Sequence, residues 1–322
     1  MRARIRNLFA LRVAFGATLF FIASIASFPI SLARFRVDYI YGLTTQTAAS
    51  WYRDGVVGAT LDGVVVGAIV ACVFALVDRT RYWYAYAMAG LFVVTLVMAF
   101  AEPIVVAPLY NSYHSLPKTA ALGVQLETLA ARAGVGDAPI LVADDSRRTS
   151  AAIADIAGFG LTKRIVLSDA LLANATSGEV LVLTARELGH YVHGDDFRLS
   201  LFWTSLFILC AALAVILADR VGFRRDDDPL ARLPLVFAFL GLLALVATPL
   251  YNGYSRNLES RADIYALALT GDRASAVRVY VRIADETLAQ LCPPRATRLY
   301  FYNSPPLGTR IARAGGRPDP CR

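Results

Sequence analysis

Five apolar stretches, each long enough to cross a lipid bilayer, constrain this chain more than any other feature. They run roughly over 8–33, 56–77, 83–109, 199–218 and 233–251. A spanning helix needs about 20 mainly apolar residues, because hydrocarbon offers no partner to an unpaired backbone group. The chain of 322 residues is 57% hydrophobic and 18% charged, with a mean hydropathy of +0.51. A soluble domain is nearer half apolar and a quarter charged, so the excess apolar surface needs lipid to cover it. The reading is a multi-pass α-helical membrane protein with about five transmembrane helices, in a cell membrane of bacterial type.

The first stretch follows Arg2, Arg4, Arg6 and Arg12. Its apolar region is too long for a signal peptide and lacks a small-x-small cleavage site, so it reads as a retained anchor. Asp62 and Glu102 lie inside the second and third stretches. An intramembrane carboxylate either lines a cavity or sits near a helix end within reach of water. The net charge of +7 comes almost wholly from arginine, Lys118 and Lys163 being the only lysines. These arginines flank apolar segments and form no basic stripe, which argues against nucleic acid as a partner.

The stretches divide the chain into an N-terminal membrane domain over 1–109, a polar region over 110–198, a transmembrane hairpin over 199–251 and a second polar region over 252–322. The charged turn of the hairpin is 219–232. The two polar regions together hold about one domain's worth of chain. Arginines in the N-terminal segment, at Arg79 and Arg81, and at Arg220, Arg224, Arg225 and Arg232 would all face the cytoplasm if the N-terminus does. Five crossings then put both polar regions on the other side. Cys72 and Cys210 lie in apolar stretches and read as small core residues. Cys292 and Cys321 could pair in an oxidising space or stay as two free thiols.

The first polar region reads as an amphipathic helix over 118–133 ending at Gly134, strands within 138–145 and 150–160, and a third strand running into a helix over 163–172. Residues 177–194 form another helix, with Ser177 as candidate N-cap, Glu179 in the first turn and Gly194 at the end. Residues 254–271 read as a further helix.

The helix over 177–194 carries "TARELGHYVHGDD" (184–196). With His at 186 this would be the H-E-x-x-H motif, in which two imidazoles one turn apart hold zinc and the Glu between them is the general base. Position 186 is Arg, while Glu187 and His190 stand in place. Alone, E-x-x-H is an ordinary surface pattern. On the helix over 254–271, Glu259 and Asp263 lie one turn apart and would alone be a solvated charged face.

Taken together, these stretches resemble the integral-membrane zinc metallopeptidases that include the type I CAAX prenyl endopeptidases and the HtpX-type heat-shock proteases. "YGLTTQTAASWYRD" (41–54), "IVVAPLYNSYHSLP" (104–117), "FGLTKRIVLSDALL" (159–172), "RELGHYVHGD" (186–195) and "SRNLESRAD" (255–263) carry the resemblance. It implies an α+β zincin-like domain split by the hairpin. It also implies Glu187 as base, His190 and Glu259 as zinc ligands, and Asp263 as a carboxylate that steadies a ligating His through its other ring nitrogen.

Three positions depart from the family's pattern. Arg186 replaces the first zinc-binding His, Ile153-Ala154 replaces an Asn-Ala pair on a substrate-binding edge strand, and Ser304 replaces a His before Pro305-Pro306; Arg310 is retained. A guanidinium cannot ligate a cation, but it pairs well with carboxylates. The expectation is that Arg186 supplies the positive charge in place of zinc. His193 offers a rebuilt site of His190, His193 and Glu259, since i, i+3 pairs hold metals in helical bundles.

The function expected is a degenerate member that binds peptides or membrane proteins. The alternative is an active zinc metalloendopeptidase with the rebuilt site. A structural or transport protein would need the acids at 187, 259 and 263 to be unrelated in space. The expected partners are the bilayer and membrane-associated proteins or peptides. The family's catalytic domain is usually cytoplasmic, against the arginine distribution here.

Overall fold

A computed structural model describes residues 2–80, 82–117, 119–151, 153–158, 162–221 and 229–321. Lys118, Arg81, Arg224, Arg225 and residues 222–228 of the expected turn over 219–232 lie outside the described residues. The described chain forms two compact units. The first holds residues 1–112 and 144–151, the second 113–143 and 152–322.

The first unit begins with α1 (Arg2–Ile40) and α2 (Ala48–Val77). Gly63, Gly67 and Ala71 recur every four residues on α2 and are buried against α1. A Cβ on Gly67 would stand 2.7 Å from the Val13 carbonyl, so the small residue sets the helix spacing. The third apolar stretch is broken: α3 (Trp83–Ala101) passes into a π-wound turn, Glu102–Val106, before α4 (Ala107–Tyr110). Pro103 removes a backbone donor there, which breaks the regular ladder. The segment 144–151 joins this unit through Arg148 Nε, 2.9 Å from Asp54 Oδ2. Thr44 and Thr149 pair as an isolated bridge.

The second unit holds β1 (Tyr113–Ser115), α5 (Ala121–Arg132), β2 (Ile140–Ala143), β3 (Ala154–Ala157), β4 (Arg164–Ser168), α6 (Asp169–Asn174) and α7 (Ser177–His193). After these come α8 (Asp195–Arg220), α9 (Pro229–Thr270), α10 (Arg273–Glu286), α11 (Arg295–Phe301) and α12 (Leu307–Ala314). The sheet order is β1-β2-β4-β3, with β2 and β4 parallel and the outer pairs antiparallel. The three-residue strand β1 has too few residues to show a period in the sequence. Leu126, Ile165, Leu167, Leu171, Val180, Leu188, Val279 and Tyr280 form the core between the sheet, α5, α7 and α10.

Among the described residues four helices are long and apolar enough to span a membrane: Leu8–Ile40, Ala48–Val77, Asp195–Arg220 and Leu235–Thr270. Ala85–Met98 with Glu102–Tyr110, bent by 45°, makes a fifth. The chain is a multi-pass integral membrane protein. One correction concerns α9, which the sequence divided into a span and a separate helix from 254. It is a single 42-residue helix that passes through Pro249. Neighbouring helices can satisfy the backbone group that a proline frees within a bilayer. The same helix therefore leaves the membrane and delivers Glu259 and Asp263.

Candidate functional site

The site is built where α7 crosses α9. Thr176, not Ser177, caps α7: its side chain accepts from the Glu179 amide, and the Glu179 carboxylate accepts from the Thr176 amide at 2.7 Å. Thr176 still has extended backbone, whereas Ser177 is already helical, which decides the cap. The crossing is close because its residues are small. Ala185, Ala262 and Ala266 are fully buried, and a Cβ on Gly189 would meet the Tyr265 ring at 3.0 Å. Side chains on the facing turns of the two helices are thereby brought within bonding distance.

Arg186 sits among three carboxylates. Its Nη1 donates to Glu187, its Nη2 donates to Glu259, and its Nε lies 3.7 Å from Asp263 Oδ1. Burial works against the Arg186 charge, but Glu187, Glu259 and Asp263 outweigh it and hold its pKa above the ordinary arginine value. Glu187 moves upward from its ordinary value. Burial drives it, Arg186 and His190 oppose it, and Asp155 and Glu259 reinforce it.

Asp263 is gripped from the other side. Arg310 Nε is 3.0 Å from Oδ2 and Nη2 is 2.7 Å from Oδ1, and the Tyr280 hydroxyl donates to Oδ1 at 2.9 Å. Arg313 Nη1 stands 3.6 Å from Oδ2. Burial, and then the Asp263 charge, push the Tyr280 hydroxyl up to about 12.

Sequence reasoning gave Asp263 the task of steadying a His, and the structure assigns that task elsewhere. His190 Nδ1 lies 3.0 Å from Asp195 Oδ2, and Asp195 in turn accepts from Arg261. The cause is Gly194, whose left-handed backbone (φ 63°) ends α7 and starts α8 with no intervening loop. Asp195 is thereby folded back onto the ring it follows by five residues. The only sequence signal for it was an Asp directly after the terminating Gly. Arg261, Tyr280 and Arg313 carried no signal of their own.

His190 Nε2 faces Glu259 Oε1 at 3.6 Å. His193 does not join them: its Nδ1 is 2.6 Å from the Gly189 carbonyl and its ring packs edge-on to Tyr265. Glu187, Glu259 and Asp263 are thus brought around one cation, where a structural or transport reading needed them apart. A cavity of about 160 Å³ opens here, lined by Asp155, Arg186, Glu187, His190, Ser255 and Glu259 among others. Ile153 precedes the edge strand β3, its amide donating to Ser168 Oγ at 3.1 Å.

Residues 117–317 match the family model described as peptidase family M48. The chain belongs to this family. Residues 3–112 match the model of the CAAX prenyl protease N-terminal region, described as five membrane helices. This family member is 28% identical over 314 residues to the uncharacterized metalloprotease YhfN of Bacillus subtilis, covering 94% of this chain and 72% of the relative. It is also 28% identical to a CAAX prenyl protease 1 homolog of Arabidopsis thaliana, over 91% of this chain and 71% of the relative. The crystal structure of S. mikatae Ste24p superposes with a TM-score of 0.79 at 23% identity, covering 95% of this chain and 79% of that one. That likeness shows a shared fold.

M48 peptidases are zinc enzymes, and a catalytic zinc needs three protein ligands. Among the described residues no group of three His, Cys, Asp or Glu side chains is placed to hold a metal. His190 Nε2 and Glu259 converge, but the position of a third donor holds the Arg186 guanidinium. The donor set present does not fit zinc.

Proposed function

We propose that this M48 member is a catalytically degenerate peptidase that binds peptide segments or membrane proteins at the former catalytic cavity without a metal. One observation supports the reading above all: Arg186 donates to both Glu187 and Glu259. The guanidinium delivers one positive charge where a divalent ion would bring two, and it occupies Glu259, the carboxylate a zinc ion would use. It also engages Glu187, which a peptidase needs as a free base for water. The relatives' printed names, a metalloprotease and a CAAX prenyl protease 1 homolog, suggest membrane-associated proteins or peptides as the clients.

The test is zinc per chain in detergent-purified protein, wild type beside Arg186→His. The wild type should carry no stoichiometric zinc. Arg186→His rebuilds two imidazoles at i, i+4 opposite Glu259 and should acquire close to one zinc per chain. Stoichiometric zinc in the wild type, lost in His193→Ala, would overturn the reading in favour of an active peptidase with a rebuilt site.

A further inference from the structure

The C-terminal region holds an exposed apolar element that the cavity does not use. The last turn of α11 carries Leu299, Tyr300 and Phe301, which are 45%, 45% and 81% exposed. Consecutive helical residues point about 100° apart, so these three present apolar surface around most of the helix. A helix end of this kind in water would leave that area without cover.

Its position on α9 says what covers it. The apolar run of α9 ends near Tyr251. There the Trp203 ring meets Tyr251 at 5.3 Å and the Phe202 ring stacks on Tyr254 at 4.5 Å. Aromatic pairs of this kind mark the level at which a span leaves the hydrocarbon. At that level Asn252 Nδ2 donates to the Leu299 carbonyl at 3.0 Å. Arg256 Nη1 donates to the Arg298 carbonyl at 2.9 Å and to that of Tyr302 at 2.6 Å. Two hydrogen bonds to α11 and a third to Tyr302, the residue after it, therefore tie this helix to the turn of α9 where the apolar run ends. The triad is held beside the end of a span whose own apolar residues Trp203 and Leu250 are also exposed. The other end of α11 begins at Arg295, an exposed cation of the kind that suits a headgroup layer.

We propose that α11 is an interfacial membrane contact, with Leu299, Tyr300 and Phe301 inserted among the acyl-chain tops of the leaflet that α8 and α9 cross. Its occupant is the lipid of that leaflet. The contact holds the former catalytic cavity at the membrane surface. Glu259 lies two turns beyond Tyr251, about 12 Å at the helical rise. The chain leaving α11 runs through Pro305-Pro306 into α12, whose Arg310 holds Asp263.

The experiment uses the full chain in phosphatidylcholine vesicles. Phe301→Trp adds one indole, read as the difference from the unsubstituted chain. Tyr300→Trp serves if Phe301→Trp does not reconstitute. The added emission should be shifted to the blue, lost when the lipid is brominated near the top of its acyl chains, and unaffected by iodide. Val124→Trp is the control: Val124 is exposed and shares a cavity with Thr270 at the far end of α9. Its emission should respond to iodide and ignore brominated lipid. Quenching of the residue-301 indole by iodide would place α11 in water and overturn the proposal. Shielding from both quenchers would overturn it too, since a protein surface would then cover the triad.

Discussion

Arg310 closes on Asp263 with two hydrogen bonds, 3.0 and 2.7 Å, across 47 residues of sequence. Both side chains are nearly buried, at 8% and 2% exposed. A buried pair of this kind is weak evidence of net stabilisation, because desolvating both charges offsets their attraction. Removing one partner has a clear sign, since it strands a charge. Arg310→Ala should destabilise the second unit by about 3–5 kcal/mol. Arg310→Leu together with Asp263→Leu should recover much of that loss. Denaturant unfolding in detergent reads both, and a neutral Arg310→Ala would show that Asp263 is held by its other partners.

The Arg186 cluster should behave as a coupled unit. Arg186→Met leaves Glu187 and Glu259 without their shared donor, so it should destabilise by about 3–5 kcal/mol near neutral pH. Adding Glu259→Gln removes one of the stranded acids and should restore part of the loss. The expected coupling between positions 186 and 259 is about 0.5–3 kcal/mol by double-mutant cycle. Purely additive effects would mean that the two side chains do not meet in solution.

Acid should weaken the start of α7 through Glu179. Burial raises this carboxyl, but the Thr176 amide and hydroxyl and the Arg282 guanidinium together hold it below its ordinary value of 4.5. A depressed folded-state pKa contributes stability that is present above 4.5 and lost as pH falls through the lowered value. Glu179→Gln should lower Tm at neutral pH and flatten the fall of Tm on the acid side. An unchanged acid limb would assign that fall to other carboxylates.

Cys292 and Cys321 form a disulfide. The bond sits under Gly308 at the start of α12, where a Cβ would stand 2.8 Å from both sulfurs. A crosslink closing a loop of about 30 residues stabilises by roughly 3–4 kcal/mol on the chain-entropy argument. Replacing both cysteines by serine should lower stability by about that amount. A disulfide also belongs in an oxidising compartment, and the arginine distribution points the same way. In intact cells, a membrane-impermeant reductant should open Cys292 and Cys321 to an impermeant maleimide. Labelling that requires cell lysis would place this region in the cytoplasm.

Much of the site's framework was legible because it is local. The i, i+4 pairs at 186 and 190 and at 259 and 263 follow from helical periodicity alone. The arginine among acids at 186 follows from one letter in a spaced motif. What escaped the sequence depends on turns and distant partners. Asp195 reaches His190 only because Gly194 adopts a left-handed turn with no loop after it. His193, at a plausible spacing for a ligand, bonds back to Gly189 because the last carbonyls of a helix lack donors.

By itself the sequence determined that the chain enters the membrane repeatedly, that α7 is a helix, and that position 186 carries a cation no metal site can use. Hydrophobic length and residue chemistry decide those things without any partner. Only the tertiary structure decided which charges neutralise one another: Arg186 between Glu187 and Glu259, Arg310 on Asp263, Arg261 on Asp195. Electrostatic pairing falls off over a few ångströms, and those distances exist only once α7, α9 and α12 have packed.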